Sequence, residues 1–346
     1  MAQNTQQGTG KAVPDFRPMQ PAPARNHLDP YVRLAVPGQM TKPIRPPTEN
    51  TTLRKGRTNR ILLYHGCFNP PHHGHMGHLR HALRYCGQEI NVIGAFIIVL
   101  PNGMLDLKLG VNSKEIKLDI KKRVALWDEE LRAQAQAQAG NRDEGWVERC
   151  WVMMRSEWSQ AEPQLEQDFA RDGFDVEFVT LAGGDKFSEY STHVGWGYPM
   201  TMTTNISRPV FFYKSTSNSP LPKTLRDHTP WELMPSNPHS PRRVVFTCRY
   251  IGLYKTYTLR FVSALFSEQL DPTLSSTKVR SIINTTQVLT RNSSDQEKVT
   301  RLATRLGGVV LSPNLLAQYI VEEWKKRGND APQFLELRAI ASRYKY

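Results

Sequence analysis

The sequence predicts an α/β fold, a parallel sheet with helices on both faces, and three observations lead there. An apolar run, Ile61-Leu62-Leu63-Tyr64, precedes a loop of glycine, proline and histidine. After it the apolar positions of 76–85 (76, 79, 82 and 83) recur at helical spacing. A second apolar run over 91–101 follows, so strand, helix and continuously apolar strand succeed one another as in a parallel βαβ unit. A third run, 175–182, passes into Gly183-Gly184-Asp185, a turn suited to the carboxyl edge of such a sheet, where ligands bind.

Ahead of these elements, residues 1–58 are rich in Pro, Gln, Lys and Arg and have few adjacent apolar residues. They are expected to be disordered, since they bury too little surface to offset the entropy of ordering. A targeting peptide is the other reading of this tail, and its prolines, Asp15 and Asp29 argue against an amphipathic helix there. The chain has a formal charge of +13, but residues 1–60 hold ten Lys/Arg against three Asp/Glu, so over half the excess sits in the tail. The mildly basic remainder suits a protein that handles nucleoside triphosphates as well as one that binds a polymer.

With 346 residues, 39% of them apolar, the chain can bury one substantial core besides its tails. Cys67, Cys86, Cys150 and Cys248 show no CxxC pairing. That indicates neither a disulfide framework nor a zinc ribbon and favours a reducing compartment. The longest apolar run, 92–100, is far short of the roughly 20 residues of a membrane helix. No signal peptide opens the chain, so a soluble intracellular protein is expected.

The loop His65-Gly66-Cys67-Phe68-Asn69-Pro70-Pro71-His72-His73-Gly74-His75 is a strand-to-helix turn. The first helical N–H groups point into such a turn, with the positive end of the helix dipole behind them. Gly66, Gly74 and Gly77 remove side chains where a phosphate would approach backbone, and Pro70-Pro71 stiffen the loop. His72 and His75 would then meet an anion on the helix end. Five histidines (72, 73, 75, 78 and 81) also admit a metal cluster, although only Cys67 stands near them as a further ligand. A solvated histidine-rich loop without function is the plainest alternative.

Further along, Lys108 follows the second strand, and 115–139 reads as one long helix with an apolar stripe of Ile116, Ile120, Val124, Trp127 and Leu131. Trp127 on that stripe is expected to be core. An Ala/Gln repeat ends this helix at Gly140. Residues 145–174 carry Trp146, Trp151 and Trp158 and a helical stretch ending at Gly173; 208–213 is a candidate strand. A long loop rich in Ser, Pro and Asn spans 214–241, and a strand over 243–249 ends in Arg249.

Ser275-Ser276-Thr277-Lys278-Val279-Arg280 opens an amphipathic helix. Hydroxyl caps, a dipole and fixed positive charge make it a second place fit for phosphate, or an ordinary capped helix. Another amphipathic helix, over 311–324, starts at Ser312-Pro313, and nothing in 329–346 suggests chemistry.

Together these motifs resemble the nucleotidylyltransferase superfamily, in its nicotinamide-mononucleotide adenylyltransferase branch. Gly66-x-Phe68-Asn69-Pro70-x-His72-x-Gly74-His75 is similar to the first signature of that branch, and Leu274-Ser275-Ser276-Thr277-Lys278-Val279-Arg280 to the second. Cys67 departs from a position usually small and polar. The resemblance implies a Rossmann-like sheet of about five parallel strands with the site across their carboxyl ends. It implies transfer of AMP from ATP to the 5′-phosphate of nicotinamide mononucleotide, giving NAD and pyrophosphate.

On that resemblance His72, His75 and Arg280 do the chemistry, with His75 at the α-phosphate. Gly66, Phe68, Gly183, Asp185, Ser275, Ser276, Thr277 and Lys278 complete the ATP site. Cys67, Phe68, Trp158, Trp196 and Arg249 line the mononucleotide, with Trp196 stacked on its cationic ring. Lys108 stands where the branch has a phosphate-holding lysine. Mg²⁺ would be held mainly by the ATP phosphates, since no carboxylate cage is evident.

Neither a membrane nor a nucleic acid is an expected partner, self-association is left open, and the cytoplasm or nucleus is the expected compartment. Two alternatives stand beside this reading. One is nucleotidyl transfer to another acceptor, or nucleotide hydrolysis. The other is a non-catalytic nucleotide- or RNA-binding role that uses the basic tail.

Overall fold

A computed structural model describes residues 26–36, 52–111, 113, 115–137, 145–188, 197–214, 221–235, 244–252 and 256–327. Its strands are β1 (Asn59–Gly66), β2 (Val92–Val99), β3 (Cys150–Met154), β4 (Val176–Leu181), β5 (Met200–Thr204), β6 (Glu232–Leu233), β7 (Val245–Arg249) and β8 (Thr258–Val262). They form one sheet in the order β3-β2-β1-β4-β5-β8-β7-β6. From β3 to β8 every neighbouring pair is parallel, and β7 pairs antiparallel with both β8 and β6. The fold is a Rossmann-like α/β fold, and its sheet is wider than the sequence predicts.

The helices are α1 (Leu28–Ala35), α2 (His73–Tyr85), α3 (Asn102–Leu109), α4 (Ile120–Ala137), α5 (Arg155–Arg171), α6 (Ser276–Leu289), α7 (Asp295–Leu306) and α8 (Pro313–Lys326). Side chains alternate across a strand, so β1 feeds two cores. Leu62 and Tyr64 pack with Met76, Leu79 and Leu83 of α2 and Trp127 of α4. Ile61 and Leu63 face the other way, onto Trp158, Leu165 and Phe169 of α5 and Leu28, Tyr31 and Val32 of α1. Strand β2 is buried along its whole length, as its unbroken apolar run demands. A third core joins α6, α7 and α8 to Ile116, Leu118 and Leu126.

Several expectations are corrected. Part of the segment expected to be disordered, 1–58, is folded: α1 lies against α5, with Leu28, Tyr31 and Val32 buried and the Tyr31 hydroxyl donating to Asp172 over 2.5 Å. Residues 208–213 are not a strand; Val210 and Tyr213 form an isolated bridge, and the strand lies earlier, at β5. The described part of the 214–241 loop supplies β6, the outer edge of the sheet, behind the buried Trp231. The last part of the Ala/Gln repeat and residues 329–346 lie outside the described residues.

Candidate active site

At the carboxyl end of β1 the chain turns through Phe68, at φ +45°, before α2 begins. Gly66 allows this turn, because a Cβ there would lie 2.6 Å from the Phe68 ring. The Phe68 ring is buried edge-on against Tyr64, His75 and Trp127, so it braces His75 from below and is not presented to a ligand. Asn69 ties the loop to the segment before α4, donating to the Ile116 carbonyl (2.8 Å) and accepting from the Leu118 N–H (2.9 Å). The fully buried Arg123 donates to the carbonyls of Cys67 (2.6 Å), Leu100 (2.9 Å) and Leu118 (3.0 Å). Cys67 thus serves through its backbone, and its side chain is half-buried.

His72 is the N-cap of α2, and its ring stacks on that of His75 with centroids 3.6 Å apart. Gly74 makes room for it, since a Cβ there would sit 3.0 Å from the His72 imidazole. The His72 backbone N–H donates to Nδ1 of His75 over 3.2 Å. That bond fixes the tautomer of His75: Nδ1 is the acceptor, so Nε2 carries the proton. Burial, reinforced by Arg208, His73 and Lys108, holds the His72 imidazole down to about 3. Burial first, then His72, Lys108, His78 and Arg208, holds His75 well below the ordinary histidine range. Both are therefore neutral imidazoles near pH 7, able to donate N–H to an anion. Nδ1 of His72 is buried and has no hydrogen-bond partner among the described residues.

The second motif comes up against the first. Ser276 Oγ of α6 donates to the Pro70 carbonyl (3.2 Å), and Arg280 Nη1 donates to the Asn69 carbonyl (3.3 Å). These bonds bring the amino ends of α2 and α6 together at one sheet edge, so two dipoles and their charges converge. Arg280 is also paired with Glu115 at 2.5 Å and donates to Thr277 Oγ1 at 3.1 Å. Ser275 is spent as the cap, its Oγ accepting from the Lys278 N–H (3.1 Å). The Lys278 ammonium reaches Asp271 (3.2 Å) and Thr273 (2.8 Å).

Gly183-Gly184-Asp185 lies on the adjoining strand end, with the Asp185 carboxylate exposed. Gly184 is required there: a Cβ would stand 2.9 Å from Val210 and 3.0 Å from the Arg208 carbonyl. Lys108, on α3, is exposed and near enough to act on both His72 and His75.

Arg208 is the residue that sequence reasoning missed. It donates to the carbonyls of Pro272 and Leu274 (3.1 Å), holding the approach to α6, while its charge acts on both histidines. Its signal is present only once β5 is placed, because Arg208 then closes the loop at that strand's carboxyl end.

Of the other residues expected at the mononucleotide, Trp158 is packed in the interior and Arg249 lies away from the junction of the two motifs. Trp158 is 0% exposed, packed on Phe96 and Phe178, with Nε1 donating to the Tyr198 hydroxyl over 3.3 Å. Arg249 closes β7, which runs antiparallel and pairs Arg249 with Thr258 at the start of β8. It therefore lies at the opposite sheet edge from His75. Trp196 lies outside the described residues.

Among the described residues no group of three His, Cys, Asp or Glu is placed to hold a metal ion, and no helix is long and apolar enough to cross a membrane. In comparisons with known proteins, the chain matched no family model and no curated protein.

Proposed function

We propose that the chain transfers the adenylyl group of ATP to the 5′-phosphate of a pyridine mononucleotide such as nicotinamide mononucleotide, releasing pyrophosphate. The observation that carries this reading is the junction of the two motifs, where Ser276 and Arg280 bond to the backbone of Pro70 and Asn69 directly before His72 and His75. One site there offers neutral N–H donors, two helix ends and the fixed charges of Lys108, Arg208 and Arg280.

The chemistry needs little else. The attacking phosphate is already ionised at neutral pH, so no general base or covalent nucleophile is required. What lowers the barrier is in-line placement and neutralisation of charge on the α-phosphate and the leaving pyrophosphate. His75 Nε2–H is assigned to the α-phosphate, and Arg280, Arg208 and Lys108 to the β- and γ-phosphates. Asp185 is assigned to the ribose. Mg²⁺ fits as an ion carried in on the triphosphate, where it would neutralise phosphate charge; the chain supplies no cage of its own among the described residues.

The test is pyrophosphate release from ATP and Mg²⁺ with nicotinamide mononucleotide, with NAD measured in the same reaction. Stoichiometric NAD and pyrophosphate support the reading, and orthophosphate alone sinks it. The burial of Trp158 favours a second reading, in which the acceptor is a different phosphorylated molecule. A panel of such acceptors separates the two.

A further inference from the structure

Helix α3 is fastened at its two ends rather than along a buried face. Leu105 is its one buried side chain, and Met104 and Leu107 lie exposed. A short helix takes its stability from packing an apolar face, so this one depends on what grips its ends. At the carboxyl end the Lys117 ammonium meets the Asp106 carboxylate (2.6 Å) and the carbonyls of Gly110 (2.8 Å) and Val111 (2.9 Å). At the amino end Arg123 Nη2 donates to Oδ1 of Asn102, the first residue of α3, over 2.7 Å. A guanidinium only donates, which sets the Asn102 amide with its oxygen toward Arg123.

Both fastenings come from the segment that also holds the histidine loop. Lys117 stands between Ile116 and Leu118, whose backbone groups bond to the Asn69 side chain. Arg123 is fully buried and gives its other bonds to the carbonyls of Cys67, Leu100 and Leu118. All four of these acceptors are neutral, so the planar fork of the guanidinium, not an ion pair, sets the spacing of what it joins. One arm of Arg123 thus ends in the loop before His72, and another on the helix that carries Lys108.

Lys108 needs such a reference. A lysine is a point charge on a flexible stem, so where its ammonium acts depends on where its backbone is held. Lys108 is exposed, and its charge reaches both His72 and His75. We propose that Asn102 and Arg123 are positioning residues that hold Lys108 in register with His72 and His75, so that lysine and histidines meet one triphosphate as a unit. This rests on the adenylyl-transfer reading and deepens it. Asn102 is the residue to test, because it is exposed and lies on the α3 arm alone.

Steady-state kinetics of Asn102→Ala, Lys108→Ala and Arg280→Ala, alone and with Asn102→Ala combined with each of the others, provide the test. Asn102→Ala raises KM for ATP by about 3- to 10-fold, the scale of one intramolecular hydrogen bond, and leaves the urea midpoint of unfolding unchanged. In that background Lys108→Ala adds little, whereas Arg280→Ala adds its full loss. Unchanged KM in Asn102→Ala, or full additivity with Lys108→Ala, overturns the proposal. Equal coupling to Arg280 overturns it too, since that marks a general loosening of the fold. Arg123→Lys keeps the charge without the fork, and it lowers turnover as well as raising KM for ATP, because the loop arm goes with the α3 arm. Normal kinetics there contradicts the proposal. If wild type forms no dinucleotide, the adenylyl-transfer reading has failed. Calorimetric titration of the same variants with MgATP then decides the coupling through Kd, and equal or additive affinities overturn it.

Discussion

The backbone N–H of His72 donates to Nδ1 of His75 across 3.2 Å, and this single bond sets which nitrogen of His75 can serve a substrate. With Nδ1 occupied as acceptor, Nε2–H is the free donor, and burial keeps the ring uncharged until an anion arrives. Nitrogen-15 NMR of the free protein should therefore find His75 neutral and protonated on Nε2 at pH 7. His75→Ala should lower turnover by about 10²- to 10³-fold, the usual loss for one transition-state donor, with the circular dichroism spectrum retained. Near-normal turnover would remove His75 from the chemistry.

Burial also makes the fold acid-sensitive. Burial holds His65 and His72 down to about 3 and His78 to about 4. The same side chains titrate near about 6.5 when unfolded. Between those values the unfolded chain binds more protons than the folded one, so stability falls as pH drops below about 6.5. Above about 7 these groups contribute no slope. Urea unfolding at pH 7.5, 6.0 and 5.0 should show the loss, on the order of 1 kcal/mol per pH unit for each group. His78→Phe should flatten the profile by one group. A profile that is unchanged in His78→Phe would show that His78 is not held neutral.

The parts of this molecule that were legible in its sequence carry strong local patterns. The apolar runs of β1 and β2 and the α2 spacing each stand out alone, and the 275–280 segment gains its meaning only beside the histidine loop of 65–75. Strand β5, Met-Thr-Met-Thr-Thr, lacks an apolar run because three of its buried positions are threonines. Strand β8 hides for a similar reason, having Arg260 at its centre, buried and paired with Glu89. Strand direction is not written locally at all. An apolar strand ending in Arg249 looks alike whichever way it runs, and only its pairing with β8 puts that arginine at the wrong edge. Arg208 was invisible for the complementary reason, since its meaning depends on a strand that the pattern did not disclose.

Arg280 meets a carboxylate before it meets any phosphate. Its Nε lies 2.5 Å from Glu115 Oε2, a half-exposed partner that a triphosphate would have to displace. Removing that competitor should tighten nucleotide binding: Glu115→Gln should lower KM for ATP by about two- to fivefold, the scale of an exposed ion pair. Arg280→Ala should raise the same constant by about 10-fold or more through the lost guanidinium charge. Measuring both in one series separates competition from support of the fold. A rise in KM for ATP in Glu115→Gln would show that the carboxylate positions Arg280 instead of withholding it.

Trp158 offers a contrast between packing and binding. Its indole is fully buried against Phe96 and Phe178, and its one polar atom is bonded to Tyr198. Truncation would leave a large cavity beneath the sheet, because a close-packed interior relaxes only partly around a missing ring. Trp158→Ala should thus cost about 3–5 kcal/mol of stability. Trp158→Phe, which keeps most of the volume but leaves Tyr198 without its donor, should cost less. Neither change should act selectively on the acceptor, since no part of the ring is open to one. Chemical denaturation gives the stability, and KM for acceptor and for ATP in Trp158→Phe gives the selectivity. A large rise in acceptor KM with stability unchanged would mean that the ring reaches the mononucleotide after all.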